Sequence, residues 1–374
     1  LGIKMGQPAF KFKKELEQNN VAVFSSNYTL YGDMSQRVMN LLSEYAPRIE
    51  VYSIDEAFLD FSGFEPEFLS KHAQEMRYKV SKGSGIPVSV GVGPSKTIAK
   101  IANHFAKKQP KRNGVCIIDT NEKIMAALKV FPIEDVWGIG RQYAKFLNRF
   151  NIRVAHDLVK MPDEWIRKNL SVVGLRTKKE LLGFPCSELE NKAPAKKAIC
   201  TSRSFGKMQS DIDYISEAVS TFAATCAAKL RTQNSCANIL MVFIHTNRFR
   251  DDDPQYYPTR VIQLPVATNS NIELVKYARI ALKQIFKPGL RYKKAGVIVS
   301  GISPDTHIQL SLYDTINHPK HRKAMQAIDK LNALYGRESV RLAAQGTTKK
   351  WRLRQEKLSP CYTTRWEDII TLGK

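Results

Sequence analysis

Residues Tyr52–Asp60 read YSIDEAFLD, which sets two acids, Asp55 and Glu56, side by side in a run of apolar residues. Folding such a stretch desolvates both carboxylates unless something compensates them. The wider segment IEVYSIDEAFLDFSG is rich in β-branched and aromatic residues, so it predicts two short strands joined near Ser53–Glu56. Neighbouring side chains of a flat strand point to opposite faces, and only a tight turn brings both acids to one place. Two carboxylates that close raise each other's pKa unless a cation lies between them, and Mg²⁺ takes one or two carboxylates together with phosphate oxygens. A solvated turn is the alternative reading, and the dipeptide alone does not decide between them.

Outward from this stretch the pattern alternates. VAVFSSNY predicts a strand, and Met34, Val38, Leu41 and Leu42 predict a helix from about Asp33 to Glu44. Leu69, Ala73, Met76 and Val80 predict another from about Glu65 to Lys82. VSVGVG reads as a strand, Ser95 or Thr97 as the cap of a helix with Ile98, Ile101 and Phe105, and VCIID as a closing strand. This is an α/β sheet domain. From about Asn121 to Pro185 the reading is helical and predicts a second, all-α unit. ENKAPAKKA (Glu190–Ala198) reads as a linker. Beyond it come a strand (Ile199–Phe205), a helix (Ile215–Arg231), two strands (Ala237–His245, Tyr257–Leu264), a helix (Ile272–Phe286) and a strand (Ala295–Ser300), the βαββαβ order of a ferredoxin-like unit. A basic, weakly patterned tail follows from about Ile302, with one helix near Lys320–Tyr335.

The chain has 374 residues, which implies several domains. Its longest uncharged apolar run, near Ile239–Ile244, is too short to span a bilayer, so no membrane association is expected. Cys116, Cys186, Cys200, Cys226, Cys236 and Cys361 form no CxxC pair and no zinc-like spacing, as expected for reduced, buried thiols of a cytoplasmic protein. Lys and Arg number 58 against 35 Asp and Glu, a net charge of +23. An excess of this size answers a polyanion, because phosphate contacts release counterions; a generally basic surface is the plainer reading.

Charge placement bears on the choice, although a row of lysines on a helix suits a solvated basic face as well as phosphates. Pro94–Arg112 holds Lys96, Lys100, Lys107, Lys108, Lys111 and Arg112 with no acid, and on a helix Lys96, Lys100 and Lys107 fall along one side. VWGIGRQYAKFL reads as a helix-hairpin-helix: Gly138 and Gly140 let the backbone turn about Ile139, and the helix from Arg141 offers free N–H groups to a phosphate, although a capping turn packed on Trp137 has the same pattern. Ser202, Arg203, Ser204 and Lys207, with His245, Thr246, Arg248 and Arg250, suit a duplex backbone.

YSIDEAFLD followed by VSVGVGPSKTIAKIANHFAKKQPKRNGV resembles the palm of the Y-family, translesion DNA polymerases, in which an S-x-D-E hairpin supplies two acids to a metal site. SSNYTLYGDMSQRVM, VWGIGRQYAKFL, CTSRSFG and LSPCYTTRWEDI bring the resemblance to the UmuC type and carry it along the chain in order. It implies a right-hand-like polymerase, α/β and α+β, with partial fingers (1–27), an α/β palm (28–120), a helix-hairpin-helix thumb (121–189), a linker (190–198), a ferredoxin-like little finger (199–301) and a basic C-terminal extension (302–374). It further implies two Mg²⁺ ions, a dNTP substrate, Asp55 as metal ligand, Glu56 completing the same site and Lys107 touching the triphosphate. The partners implied are damaged primer-template DNA, a dimer of processed UmuD, a RecA-type recombinase filament and the sliding clamp. For the clamp, Gln309, Leu310, Leu312 and Tyr313 of HIQLSLYDT resemble the Q-L-x-L-F docking peptide, with Tyr in place of Phe. The family's D-x-N-x-F-Y-A-S strand and aromatic steric gate do not occur in this sequence, so the chain, opening on Leu1, is expected to be an N-terminally shortened piece lacking one metal ligand. Two alternatives stay open: a nuclease or transposase, which would want further acids where Asp60 follows Asp55 too closely, and a binder of DNA or clamp without chemistry.

Overall fold

The computed structural model describes residues 1–109, 111, 113–190, 194–347, 351 and 355–371. Arg112 of the basic stretch, residues 191–193 of the linker and, apart from Trp351, the KKWRLR segment at 349–354 lie outside the described residues. The chain forms two compact units, one of Leu1–Ala193 with the returning segment Lys357–Lys374, the other of Pro194–Glu356.

The first unit opens with α1 (Lys13–Gln18) and α2 (Tyr28–Ser43). The Asn27 side chain accepts the Leu30 N–H at 3.2 Å, a cap that starts α2 well before the expected Asp33. The strand expected at VAVFSSNY reduces to a single bridge from Ser25 to Leu358, since no neighbouring strand offers a ladder. Strands β1 (Ile49–Val51) and β2 (Ala57–Leu59) form an antiparallel hairpin with Val51 opposite Ala57. Helix α3 (Pro66–Ser84) buries Met76 and Val80 with Val38 of α2, and Gly85 (φ 71°) ends it. Strands β3 (Val90–Val92) and β4 (Val115–Ile117) are parallel, joined by α4 (Lys96–Lys108), which Ser95 caps by accepting the Ile98 N–H. Then follow α5 (Asn121–Val130), α6 (Arg141–Arg149), α7 (Ala155–Lys160) and α8 (Asp163–Leu181). These helices form no separate body. Ile98 and Ile101 of α4 share one core with Leu128, Leu147, Leu158 and Leu181, so the helical segment and the α/β segment are buried against each other.

The second unit runs β5 (Ala198–Gln209), α9 (Ile212–Thr232), β6 (Ser235–Thr246), β7 (Thr259–Thr268), α10 (Asn271–Ile285) and β8 (Tyr292–Pro304), the βαββαβ order read from the sequence. The strand order corrects the ferredoxin-like expectation. A ferredoxin-like sheet puts its first and third strands at the centre; here the order is β5-β8-β6-β7, so the second and fourth are central. The physical reason is burial. β6 and β8 carry the fully buried Leu240, Val242, Ala295, Val297 and Val299, whereas the polar SRS of β5 and TR of β7 are tolerated at an edge. Both helices cover one sheet face.

The tail beyond β8 divides. Helix α11 (His318–Tyr335) is clamped to the second unit by Asp329, whose two oxygens take Arg231 Nε and Nη2 at 2.6 and 2.7 Å, and Trp351 is buried against Phe222. From Lys357 the chain rejoins the first unit. The cysteines are free thiols, but only Cys116, Cys226 and Cys236 are buried; burial pushes the Cys226 and Cys236 thiols up to about 11, and Cys200 is exposed.

Candidate active site

The acid turn lies between β1 and β2. Tyr52 N–H and Ser53 N–H both donate to the Glu56 carbonyl, at 3.1 and 3.0 Å, which tightens Tyr52–Glu56 into the sharp reversal the paired acids require. The Ser53 hydroxyl donates to Asp55 Oδ1 at 2.7 Å, and Ser35 of α2 pins the tip by donating to the Ile54 carbonyl at 2.5 Å. Asp55 stands exposed at the tip. Asp60, the spare acid, belongs to the scaffold: the Ser62 N–H and hydroxyl, with Arg48, hold its carboxyl down at about 2.

The lysines of α4 do not form one free phosphate-binding row, as their spacing predicts. Lys96 is half-buried, its Nζ 2.5 Å from Glu50 Oε2 and 2.7 Å from the Glu188 carbonyl, so it ties β1 to the end of the first unit's long helical run. Lys100 donates to Glu56 Oε2 at 3.0 Å and sits among the rings of Tyr52 (4.7 Å) and Trp137 (5.2 Å). The Trp137 indole N–H in turn donates to the Tyr52 hydroxyl. Lys107 is exposed. It lines a cleft of about 260 Å³ with Glu56, Lys100, His104, Asp135 and Trp137. Asp55 lies outside that lining, on the solvent side of the turn. Burial and the charge of Lys108 push the His104 imidazole below its ordinary value. Tyr52, Ser35 and the Trp137 cage escape a sequence reading because their pairing joins elements remote in the chain; the nearest signal was Trp137 beside the glycine hairpin.

Of that hairpin's two glycines, the backbone requires only the first. Gly138 takes φ 95°, Gly140 is the N-cap of α6, and a Cβ at Gly140 would meet open space. Ile139 is buried, and its N–H is spent inside the turn, donating to the Val136 carbonyl at 2.9 Å. The free N–H groups at the start of α6, with Arg141 exposed beside them, form the surface.

In the second unit the uncovered sheet face gathers several predicted residues. Ser204 and His245 both pair across Lys294, and Ser202 and Phe243 both pair across Gly296, so these side chains share one face. Gly296 is required there: its Cβ would lie 2.3 Å from the Phe243 ring. Burial, then Lys294 and Arg248, push the His245 imidazole down, which places Arg248 by the same end of the sheet. Arg203 falls on the opposite side of β5 and hydrogen-bonds the Ser202 carbonyl, while Lys207 is exposed near the strand's end. Gln309, Leu310, Leu312 and Tyr313 follow β8 in no strand, with Leu312 100% and Tyr313 91% exposed.

Among the described residues no three His, Cys, Asp or Glu side chains gather closely enough to hold a metal ion, and no helix is long and apolar enough to cross a membrane.

Comparison with known proteins places this geometry. The architecture matches a solved Y-family DNA polymerase chimera, Dbh-Dpo4-Dbh, with a TM-score of 0.62 over 81% of this chain and 85% of that one, at 22% identity. The fold is thus that of a Y-family DNA polymerase. Residues 1–104 match the impB/mucB/samB family, 196–312 its C-terminal domain and 322–372 a domain of unknown function, DUF4113. UmuC of Salmonella typhimurium is 40% identical over 99% of this chain and 88% of its own length; ImpB of Salmonella typhimurium is 38% identical over the same shares. MucB of Escherichia coli is 35% identical over 98% of this chain and 87% of its own length. The chain belongs to the impB/mucB/samB family, the UmuC-type translesion DNA polymerases, DNA-directed nucleotidyltransferases of DNA repair and SOS mutagenesis.

Proposed function

We propose that Asp55 and Glu56 are the acids of the nucleotidyl-transfer site and that Lys107 meets the triphosphate of the incoming dNTP. One observation carries this reading: the fold brings Glu56, from the hairpin tip, and Lys107, from the end of α4, into the same cleft. The donor set fits Mg²⁺. Asp55 and Glu56 present hard oxygens on adjacent residues, Asp55 is open to solvent, and Lys100 occupies only Oε2 of Glu56. With the nucleotide phosphates, these acids would hold Mg²⁺, which when bound would supply the Lewis-acid chemistry for attack by a primer 3′-hydroxyl and departure of pyrophosphate. Lys100 pairs with Glu56 in the meantime, so the half-buried acid is compensated. Primer extension in Mg²⁺ tests the reading: addition of deoxynucleotides opposite undamaged and abasic template positions supports it and shows that no further acid is needed, strand cleavage without synthesis overturns it in favour of a nuclease, and neither reaction leaves a binder of DNA without chemistry.

Primer-template DNA is met by backbone contacts blind to base sequence: the amides of Gly138, Gly140 and Arg141 in the first unit, and Ser202, Ser204, Lys207 and Arg248 in the second, with Arg203 reaching it only around the edge of β5. The processed UmuD dimer and the recombinase filament are partners in keeping with the family. The exposed Gln309–Tyr313 segment supports clamp docking, because Leu312 and Tyr313 present apolar surface that nothing in the second unit covers. Changing Gln309 and Leu312 together to Ala is expected to cut clamp affinity at least about tenfold without altering distributive DNA binding. Unchanged clamp pull-down would make the segment an ordinary surface loop.

A further inference from the structure

The returning segment Lys357–Thr371 is not an idle tail. Ser25 N–H donates to the Lys357 carbonyl at 2.7 Å, and the Lys357 N–H donates back to the Ser25 hydroxyl at 3.2 Å. Asn27 is 4% exposed and used at both ends. Its Oδ1 caps α2, while its Nδ2 lies 2.9 Å from the Ser359 carbonyl and 3.4 Å from that of Pro360. Six residues further along α2, the Thr363 side chain, with Arg37, holds the Asp33 carboxyl below its ordinary value, and Arg37 Nε donates to Asp33 Oδ2 at 2.9 Å. The segment keeps its own shape because Asp368 accepts the Cys361 N–H at 2.8 Å. The next polar contact along the helix is Ser35, whose hydroxyl pins the Ile54 carbonyl in the acid turn.

A continuous chain of bonds therefore runs from the C-terminal segment through Asn27 and α2 to the turn that carries Asp55 and Glu56. We propose that Lys357–Thr371 is a strap that positions the acid turn through α2, with Asn27 as the positioning residue at its buckle. This gives the last part of the domain of unknown function a task inside the first unit, and it rests on the polymerase reading of the turn. Asn27 is buried and acts by limiting how far α2, and with it Ser35, can shift.

Three variants of the full chain separate the possibilities. Asn27→Asp keeps the capping oxygen but turns the donor that faces two carbonyls into an acceptor, so it releases the strap and spares the cap. Ending the chain after Glu356 removes the strap outright. Asp368→Ala loosens the strap's own turn and leaves α2 untouched. Amide exchange at Tyr28–Gln36 and at Tyr52–Ala57 is expected to quicken about tenfold in the first two and less in the third, with the second unit unchanged. In primer extension the same variants lower kcat with little change in KM for the nucleotide. Unchanged exchange at Tyr52–Ala57, or faster exchange confined to the start of α2, overturns the proposal, since the segment then merely caps a helix. Should either of the first two variants unfold throughout, Asp368→Ala decides by the same exchange criterion. Exchange is read without any turnover, so failure of the strap is distinguishable from failure of the polymerase reading.

Discussion

Asp55→Asn lowers nucleotide incorporation by about 10³-fold, a loss of several kcal/mol of transition-state stabilisation, while thermal stability and DNA binding stay as they were. The separation of the two effects follows from where the residue sits. Asp55 is exposed at the hairpin tip and, among the described residues, its side chain bonds only to Ser53, so the fold loses little when its charge is removed. The reaction loses much, because a neutral amide oxygen is a far poorer ligand for a hard divalent cation than a carboxylate. Glu56→Gln is expected to be nearly as damaging to turnover and less innocent structurally, since it leaves Lys100 charged among Tyr52, Phe58 and Trp137 without its carboxylate partner. Single-turnover primer extension beside a melting curve measures both quantities. A loss under tenfold for Asp55→Asn would remove it from the metal site.

Gly91→Ala destabilises the first unit by about 3 kcal/mol, at the upper end for overpacking a core. A Cβ built at Gly91 lies 2.1 Å from the Asn103 nitrogen, 2.3 Å from the Ala99 oxygen and 2.7 Å from the Asn103 Cα. All three are backbone atoms of α4, and none can rotate away. The added methyl must push β3 off the helix, opening the contact that buries Ile98, Ile101 and Ala102 and shifting the cleft lined by Lys100 and Lys107. Gly140→Ala is the control: φ there is −80° and the space is open, so it should fold normally. Denaturant unfolding followed by amide exchange in β3 and α4 reads the effect, with the second unit as internal reference. Equal stability of the two variants would mean that the close approach of strand and helix is not what the glycine provides.

Much of this fold is written locally. The hairpin around YSIDEAFLD, the cap at Ser95 and the βαββαβ order of the second unit all follow from periodicity and capping chemistry, which act over a few residues. The readings that failed depend on partners far away. Lys96 looks like a phosphate ligand on a helical wheel, yet Glu50, 46 positions earlier, claims it. The beginning of α2 was placed too late because its cap is reinforced by Ser359 and Pro360, more than 330 residues distant. The strand order of the second unit was missed because periodicity says which residues face a core but not which strand is buried on both edges.

The sequence by itself determined the chemistry of this polymerase: two adjacent acids at a turn, a run of lysines with no acid, paired glycines before a helix, and a large basic excess. Those are properties of residue type and spacing, and they survive without coordinates. Only the tertiary structure decided which lysine neutralises Glu56 and which remains open in the cleft, and only it returned the chain's last segment to the start of α2. The reason is physical. A hydrogen bond or ion pair acts over about 3 Å of space, whatever the distance along the chain, so its partner becomes definite only when the chain has packed.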